Sequence, residues 1–318
     1  MARALILALL GIVLAACGGG SDGAPDFPRV VTLGEGDLFP RILSHTLAVG
    51  PNRFSMALFD AADEEVLGAR VRLRFYDLNG GEPAFHAETD AEFVPMERSF
   101  EDEQAGGEKR VTGMTGVYVA SVDFDAAGDW GVEVNATTDG RRYEPVPFRF
   151  NVLERSPEPA IGEQAPRSRQ AVLADVADIT AIDSSSPPRP HMHDTTIADA
   201  LSNGRPAVIA FATPAFCESR LCAPVMDTVM DPLYKRYRGS ATFIHVEPYE
   251  LAPLRERNVQ APVTATREWR IDTEPWIFVV AADGRVAAKF EGVAGVDEVE
   301  RALMAVLDRP AAAPTPAS

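Results

Sequence analysis

Residues 206–224 read PAVIAFATPAFCESRLCAP. Ala207 to Ala212 is a short apolar run containing Val208, Ile209 and Phe211, stopped by Pro206 before it and Thr213-Pro214 after it. Such a run between breakers predicts a buried strand. Cys217 and Cys222 follow just past its C-terminal end, where an α/β sheet collects functional loops on a rigid scaffold. Their four-residue separation is restrictive. On one continuous helix, positions i and i+5 have Cα atoms about 8.6 Å apart, beyond the roughly 7 Å that a disulfide spans. A bonded pair therefore needs Cys217 outside the helix, or an unwound first turn. Pro224 favours the former, because proline suits a first helical turn and disfavours helical geometry at Ala223. Both sulfurs then sit near a helix N-terminus, whose partial positive charge favours a thiolate. Arg220 adds to that effect and Glu218 opposes it.

At 318 residues the chain accommodates two ordinary domains, and 46% hydrophobic with 24% charged residues is a globular composition. The formal net charge of -17, with no block of Lys and Arg, argues against a nucleic-acid partner. Cysteine occurs only at 17, 217 and 222. Met1-Ala2-Arg3, the apolar run from Ala4 and then Leu14-Ala15-Ala16-Cys17 resemble a bacterial lipoprotein signal over residues 1–17, which implies lipid on Cys17. Residues 18–29, GGGSDGAPDFPR, read as a flexible tether spanning about 20 Å. The expectation is a body on the extracytoplasmic face of the cell envelope, held to the membrane by its anchor. With Cys17 acylated, Cys217 and Cys222 have only each other, in a compartment where disulfides persist.

From 30 to 153, segments such as Arg53 to Phe59, Ala69 to Phe75, Gly116 to Phe124, Gly128 to Val134 and Val146 to Val152 alternate in period two between turn signals. GVYVASVDFDAAGDWGVEV resembles bacterial immunoglobulin-like modules, which implies an all-β sandwich over 30–153. His45 and His86 stand alone, and Glu101-Asp102-Glu103 reads as a solvated loop. Residues 154–190 are rich in Pro, Ser and charge and read as a linker leading into a second domain at 191–308, whose first elements begin near 160. Residues 309–318 read as a disordered tail.

Over 160–308 the order of helices and strands resembles the thioredoxin fold, an α/β domain. Ala212-Thr213-Pro214-Ala215-Phe216-Cys217 stands where that family has its reactive cysteine, and Thr273-Glu274-Pro275-Trp276 where it has a cis-proline facing it. The resemblance implies Cys217 as nucleophile, Cys222 as resolving thiol, Pro275 beside them, and Phe216, Glu274 and Trp276 as substrate contacts. A cis Pro275 brings Glu274 up as a further charge opposing a thiolate. The implied activity is thiol–disulfide exchange with exported protein thiols or a redox partner protein, without a cofactor. Other readings stay open: a structural disulfide, a peroxiredoxin-like peroxidase, an interaction protein, or a copper-handling protein of the Sco type. For copper the donors are His191, Met192, His193 and His245.

Overall fold

The computed structural model describes residues 25–29, 37–102, 108–138 and 140–307. The signal, Cys17, most of the tether and the 309–318 tail lie outside the described residues. Eight strands make one antiparallel sheet: β1 (Phe39–Ile42), β2 (Gly50–Phe59), β3 (Arg70–Asp77), β4 (Ala84–Asp102), β5 (Glu108–Phe124), β6 (Gly128–Thr138), β7 (Arg141–Arg142) and β8 (Val146–Val152). Their order is β1-β2-β5-β4-β3-β6-β7, with β8 also on β6. The period-two alternation supplies the strands, and their inner faces meet on an aromatic core of Phe54, Phe75, Phe124 and Trp130, all fully buried.

The 19-residue β4 governs the shape of this sheet. Ala84 to Ala91 pair with β3, and Glu92 to Asp102 pair with β5. A strand this long coils with the sheet's right-handed twist, and its pairing shifts register on both sides, against β3 at Phe75/Tyr76 and against β5 at Arg98/Ser99. The sheet therefore curls through β4 like part of a barrel. Glu101 and Asp102, read above as loop, end this strand. The tether does not stay loose to its end, since Phe27 is buried against the Tyr76 ring at 5.2 Å. A Cβ on Gly131 would come within 2.5 Å of the Phe27 ring, so glycine is needed for that approach.

Tyr118 pins the loop between β2 and β3. Its hydroxyl donates to the Val66 carbonyl at 2.6 Å and accepts from the Ala69 amide at 2.9 Å, with the ring fully buried. Tyr118→Phe strands both backbone groups, so it is expected to cost about 1.5 kcal/mol, read from the urea midpoint at unchanged slope.

The second sheet has four strands in the order β10-β9-β11-β12: β9 (Ala207–Phe211), β10 (Thr242–Val246), β11 (Trp276–Val280) and β12 (Val286–Glu291). The 206–224 stretch does open on a strand, and β9 is buried at every residue. It runs parallel to β10 and antiparallel to β11. Val208 and Ala210 face one core and Ala207, Ile209 and Phe211 the other, as alternation requires of a strand covered on both faces. Between and after these strands lie α1 (Ile197–Ala200), α2 (Cys222–Val225), α3 (Asp231–Tyr237), α4 (Leu251–Arg257), α5 (Thr264–Trp269) and α6 (Val296–Leu307).

This architecture corrects the expected fold class on both counts. The first half is one curled sheet, because β4 is continuous between the two strand groups that a sandwich would separate. In the second half two of the three strand pairings are antiparallel, and among the described residues α6 is the only uninterrupted α-helix longer than seven residues, the helical run 222–237 being broken by a π turn. The described residues are mostly β, with few helices and no clear α/β thioredoxin domain. Local breakers keep the helices short: Asn203-Gly204 follows α1, and Asn258 and Arg270 end α4 and α5 in the left-handed region.

The two sheets share a core. Val94, Met96, Val117 and Val119 of β4 and β5 pack with Cys222, Val225, Met226 and Leu303. Arg53 of β2 grips Glu298 of α6 through two hydrogen bonds of 2.9 Å and donates to the Val293 carbonyl at 2.8 Å. The stretch 154–190 is folded onto the second sheet. The Gly162 amide donates to the Val286 carbonyl at 2.7 Å, and Ser168, Asp183, Ser184, Ser185 and Arg189 are buried.

Candidate functional site

Past β9, residues 214–216 turn, with the Phe216 amide on the Thr213 carbonyl at 3.1 Å. Cys217 follows outside any helix. A second turn, Arg220 amide to Cys217 carbonyl at 3.1 Å with Arg220 at φ 57°, brings the chain back to Cys222, the first residue of α2. The two cysteines are disulfide-bonded with Cα atoms 6.0 Å apart, inside the usual range. The helix starts at Cys222, two residues before Pro224, so Ala223 is helical after all. From Cys222 to Tyr237 the chain stays helical, with a π turn at Met226–Met230. That turn lies just ahead of Pro232, whose missing amide removes one helical donor.

The two cysteines differ slightly in exposure. Cys222 is fully buried, whereas Cys217 keeps 8% of its surface. The Cys222 amide, at the start of the helical run, donates to Cys217 Sγ at 3.3 Å, and Ser219 Oγ lies 3.2 Å from the same sulfur. Charge appearing on Cys217 thus meets donors already in place.

Glu274 stands on the other side. The Glu274–Pro275 peptide is cis, and a Glu274 carboxylate oxygen lies within 4.8 Å of both sulfurs. Burial, reinforced by the like charges of Glu247 and Glu218, pushes this carboxyl up to about 8. It is a neutral acid beside the sulfurs at pH 7, able to give or take a proton. Of the other residues flanking the pair, Phe216 is half-buried with the Arg255 guanidinium 5.8 Å from its ring, and Trp276 is buried, its indole donating to Thr273 at 3.0 Å.

The four candidate copper donors separate. Met192 is buried in the core shared by the two sheets, and His191 packs on Tyr234 with ring centres 4.1 Å apart. His193 and His245 come together around a residue the sequence did not single out, Asp183. Asp183 looks like a turn residue in IDSSSP, so no local signal marks it. Its carboxylate lies 3.3 Å from His193 Nε2 and 3.6 Å from His245 Nδ1, all three side chains being buried. The amides of Ser185 and Arg189 donate to it at 2.8 and 2.6 Å. Burial raises this carboxyl, but the His193 and His245 side chains and the Arg189 amide outweigh it and hold the group well below the usual range. Glu247 is also buried, accepts from the Ser184 amide at 2.7 Å, and is pushed up by that burial. Ser184 Oγ in turn accepts from the Ala215 amide at 3.2 Å, so this cluster touches the turn that carries Cys217.

No known family profile and no curated protein sequence matches the chain. Among solved structures, one similar chain is a DUF4426 family protein from Pseudomonas aeruginosa PAO1, with 12% identity and TM-score 0.24 over 40% of this chain and 99% of that one. Another is the alkylpurine DNA glycosylase AlkC of Pseudomonas fluorescens bound to DNA containing an abasic site analogue, with 12% identity and TM-score 0.20 over 37% and 30%. Likeness at that level describes neither the fold nor the activity of this chain.

Proposed function

We propose that this chain exchanges disulfides with exported protein thiols, as an extracytoplasmic protein held to the membrane through lipid on Cys17. The observation that carries the reading is a bonded Cys217–Cys222 pair in which Cys217, the less buried of the two, accepts from the amide at the helix start and both sulfurs lie beside Glu274.

A substrate thiolate attacks Cys217 Sγ, forming a mixed disulfide. The Cys217–Cys222 bond breaks and its electron pair leaves on Cys222 Sγ, which takes the proton of Glu274. A second substrate thiol loses its proton to the Glu274 carboxylate and attacks the substrate's own sulfur, releasing Cys217 as a thiolate that the Cys222 amide and Ser219 stabilise. Protonation of that thiolate from water completes the step. Two substrate thiols become a disulfide, and the pair takes up two electrons and two protons. A partner disulfide restores the pair by the same steps in reverse.

Cys222→Ser removes the resolving sulfur, so in envelope extracts Cys217 is expected to capture partners as mixed disulfides that dithiothreitol releases. A purely structural bond gives a different result. Closing so short a loop stabilises the fold by only about 2 kcal/mol through chain entropy. Its removal would then cost stability and trap nothing, and the wild-type potential would lie below about −300 mV. That pair of results would overturn the proposal.

A further inference from the structure

The residues Asp183, His193 and His245 form a second constellation that disulfide exchange does not use. His245 Nε2 lies 2.9 Å from the Ala212 carbonyl. A carbonyl only accepts, so Nε2 carries the proton and Nδ1 of the neutral ring presents a lone pair. That lone pair faces Asp183 Oδ1 at 3.6 Å, an acceptor set against an acceptor. Neither His245 Nδ1 nor His193 Nε2 has a hydrogen-bond partner, although both atoms are fully buried. Unsatisfied polar atoms in such a place cost free energy, and a cation at their point of convergence removes the cost for both rings and the carboxylate.

The distances fit one. Tetrahedral bonds of about 2.0–2.1 Å to nitrogen and oxygen put neighbouring ligand atoms about 3.3 Å apart. His193 Nε2 lies 3.3 Å from Asp183 Oδ2 and His245 Nδ1 lies 3.6 Å from Asp183 Oδ1, so the carboxylate turns one oxygen to each ring, and one ligand atom from each of the three residues lies within 4.8 Å of the other two. The supporting bonds are of the kind metal sites use. The far nitrogen of His245 donates to a backbone carbonyl, and the carboxylate is oriented by the Ser185 and Arg189 amides. A cavity of about 200 Å³, lined in part by His193, His245, Glu247 and Tyr249, lies beside them.

We infer that Asp183, His193 and His245 bind one divalent transition-metal ion of borderline softness, zinc before calcium or magnesium, with the fourth position open toward that cavity. Two imidazoles and one carboxylate select this class, since hard cations prefer oxygen-only sets. The site is separate from the cysteines and does not depend on their redox role.

The test uses the full chain stripped of metal and titrated with Co²⁺ and Zn²⁺ salts. Expected is one equivalent of Co²⁺ giving the intense d–d absorption of a tetrahedral N/O site, displaced by Zn²⁺, with no response to Mg²⁺ or Ca²⁺. His193→Gln and Asp183→Asn should each weaken binding at least about 100-fold. Cys217→Ser/Cys222→Ser and His191→Ala should leave it unchanged. No stoichiometric binding by the wild type would overturn the inference, whether or not the variants fold. So would binding that survives His193→Gln, or that disappears with the cysteines.

Discussion

Glu274→Gln is expected to slow exchange at Cys217–Cys222 about 100-fold at pH 7, the lower end of what a positioned proton donor supplies. The carboxyl is protonated at neutral pH because burial, with the like charges of Glu247 and Glu218, pushes it up to about 8. Tyr249 also faces it, its phenol raised by burial and by Glu274. Cys222 is fully buried, so a thiolate leaving there has no water to protonate it and relies on this acid. Normalised to the attacking thiolate, the wild-type rate should fall as pH rises through about 8, whereas the Gln variant should be slow and flat. Stability gives a second readout. A carboxyl raised in the folded state contributes stability that is present below its unfolded value near 4.5 and is lost as pH rises through about 8. The amide has no such loss, so the variant should melt close to the wild type at pH 4 and above it at pH 9. An unchanged rate profile with a shifted melting profile would leave Glu274 a buried acid without a role in exchange.

The cysteine loop and the fold around it were unequally legible. Cys217 and Cys222 could be read because every constraint on them is local: an apolar run between prolines gives the strand, and a five-position offset excludes one helix. Their Cα atoms are indeed 6.0 Å apart, with Cys217 in a turn. The first-half strands were legible from alternation, but alternation does not say which strand pairs with which. β4 carried charge and Pro95 through its length, so neither its extent nor its change of partner at Ala91/Glu92 was visible. Hence a sandwich was expected where the sheet curls. The packing of 154–190, read as a linker and domain entry, was hidden for a related reason. Pro, Ser and charge mark a loop only if those groups have no buried partners. Here Ser184 is matched to Glu247, 63 residues on, and Arg189 to acids 38 and 42 residues on. Pairings at that range leave no periodic trace in the sequence.

Arg189→Ala is expected to destabilise the chain by about 3 kcal/mol or more, the cost of breaking a buried ion pair from one side. The guanidinium is 6% exposed and donates to Asp227 at 2.5 Å, inside the π turn, and to Asp231 at 3.0 Å, just past its end. Its removal leaves both acids facing a vacated hole. A triple change, Arg189→Met with Asp227→Asn and Asp231→Asn, removes the charges together and should recover much of the loss, because an apolar replacement of a whole buried set is often neutral. Urea unfolding of the single and triple variants measures both, and equal losses would mean that packing, not charge, holds this contact. The same residue ties the two candidate sites together. Its amide orients Asp183, while its side chain holds the helical run that begins at Cys222. The single variant should therefore weaken Co²⁺ binding and also speed reduction of the disulfide by dithiothreitol, since the segment covering the Cys217 turn through Ser184 loses its anchor. A variant that lost stability alone, with both site readouts intact, would show that residues 183–193 hold their place through the Asp183 and Glu247 bonds without the arginine.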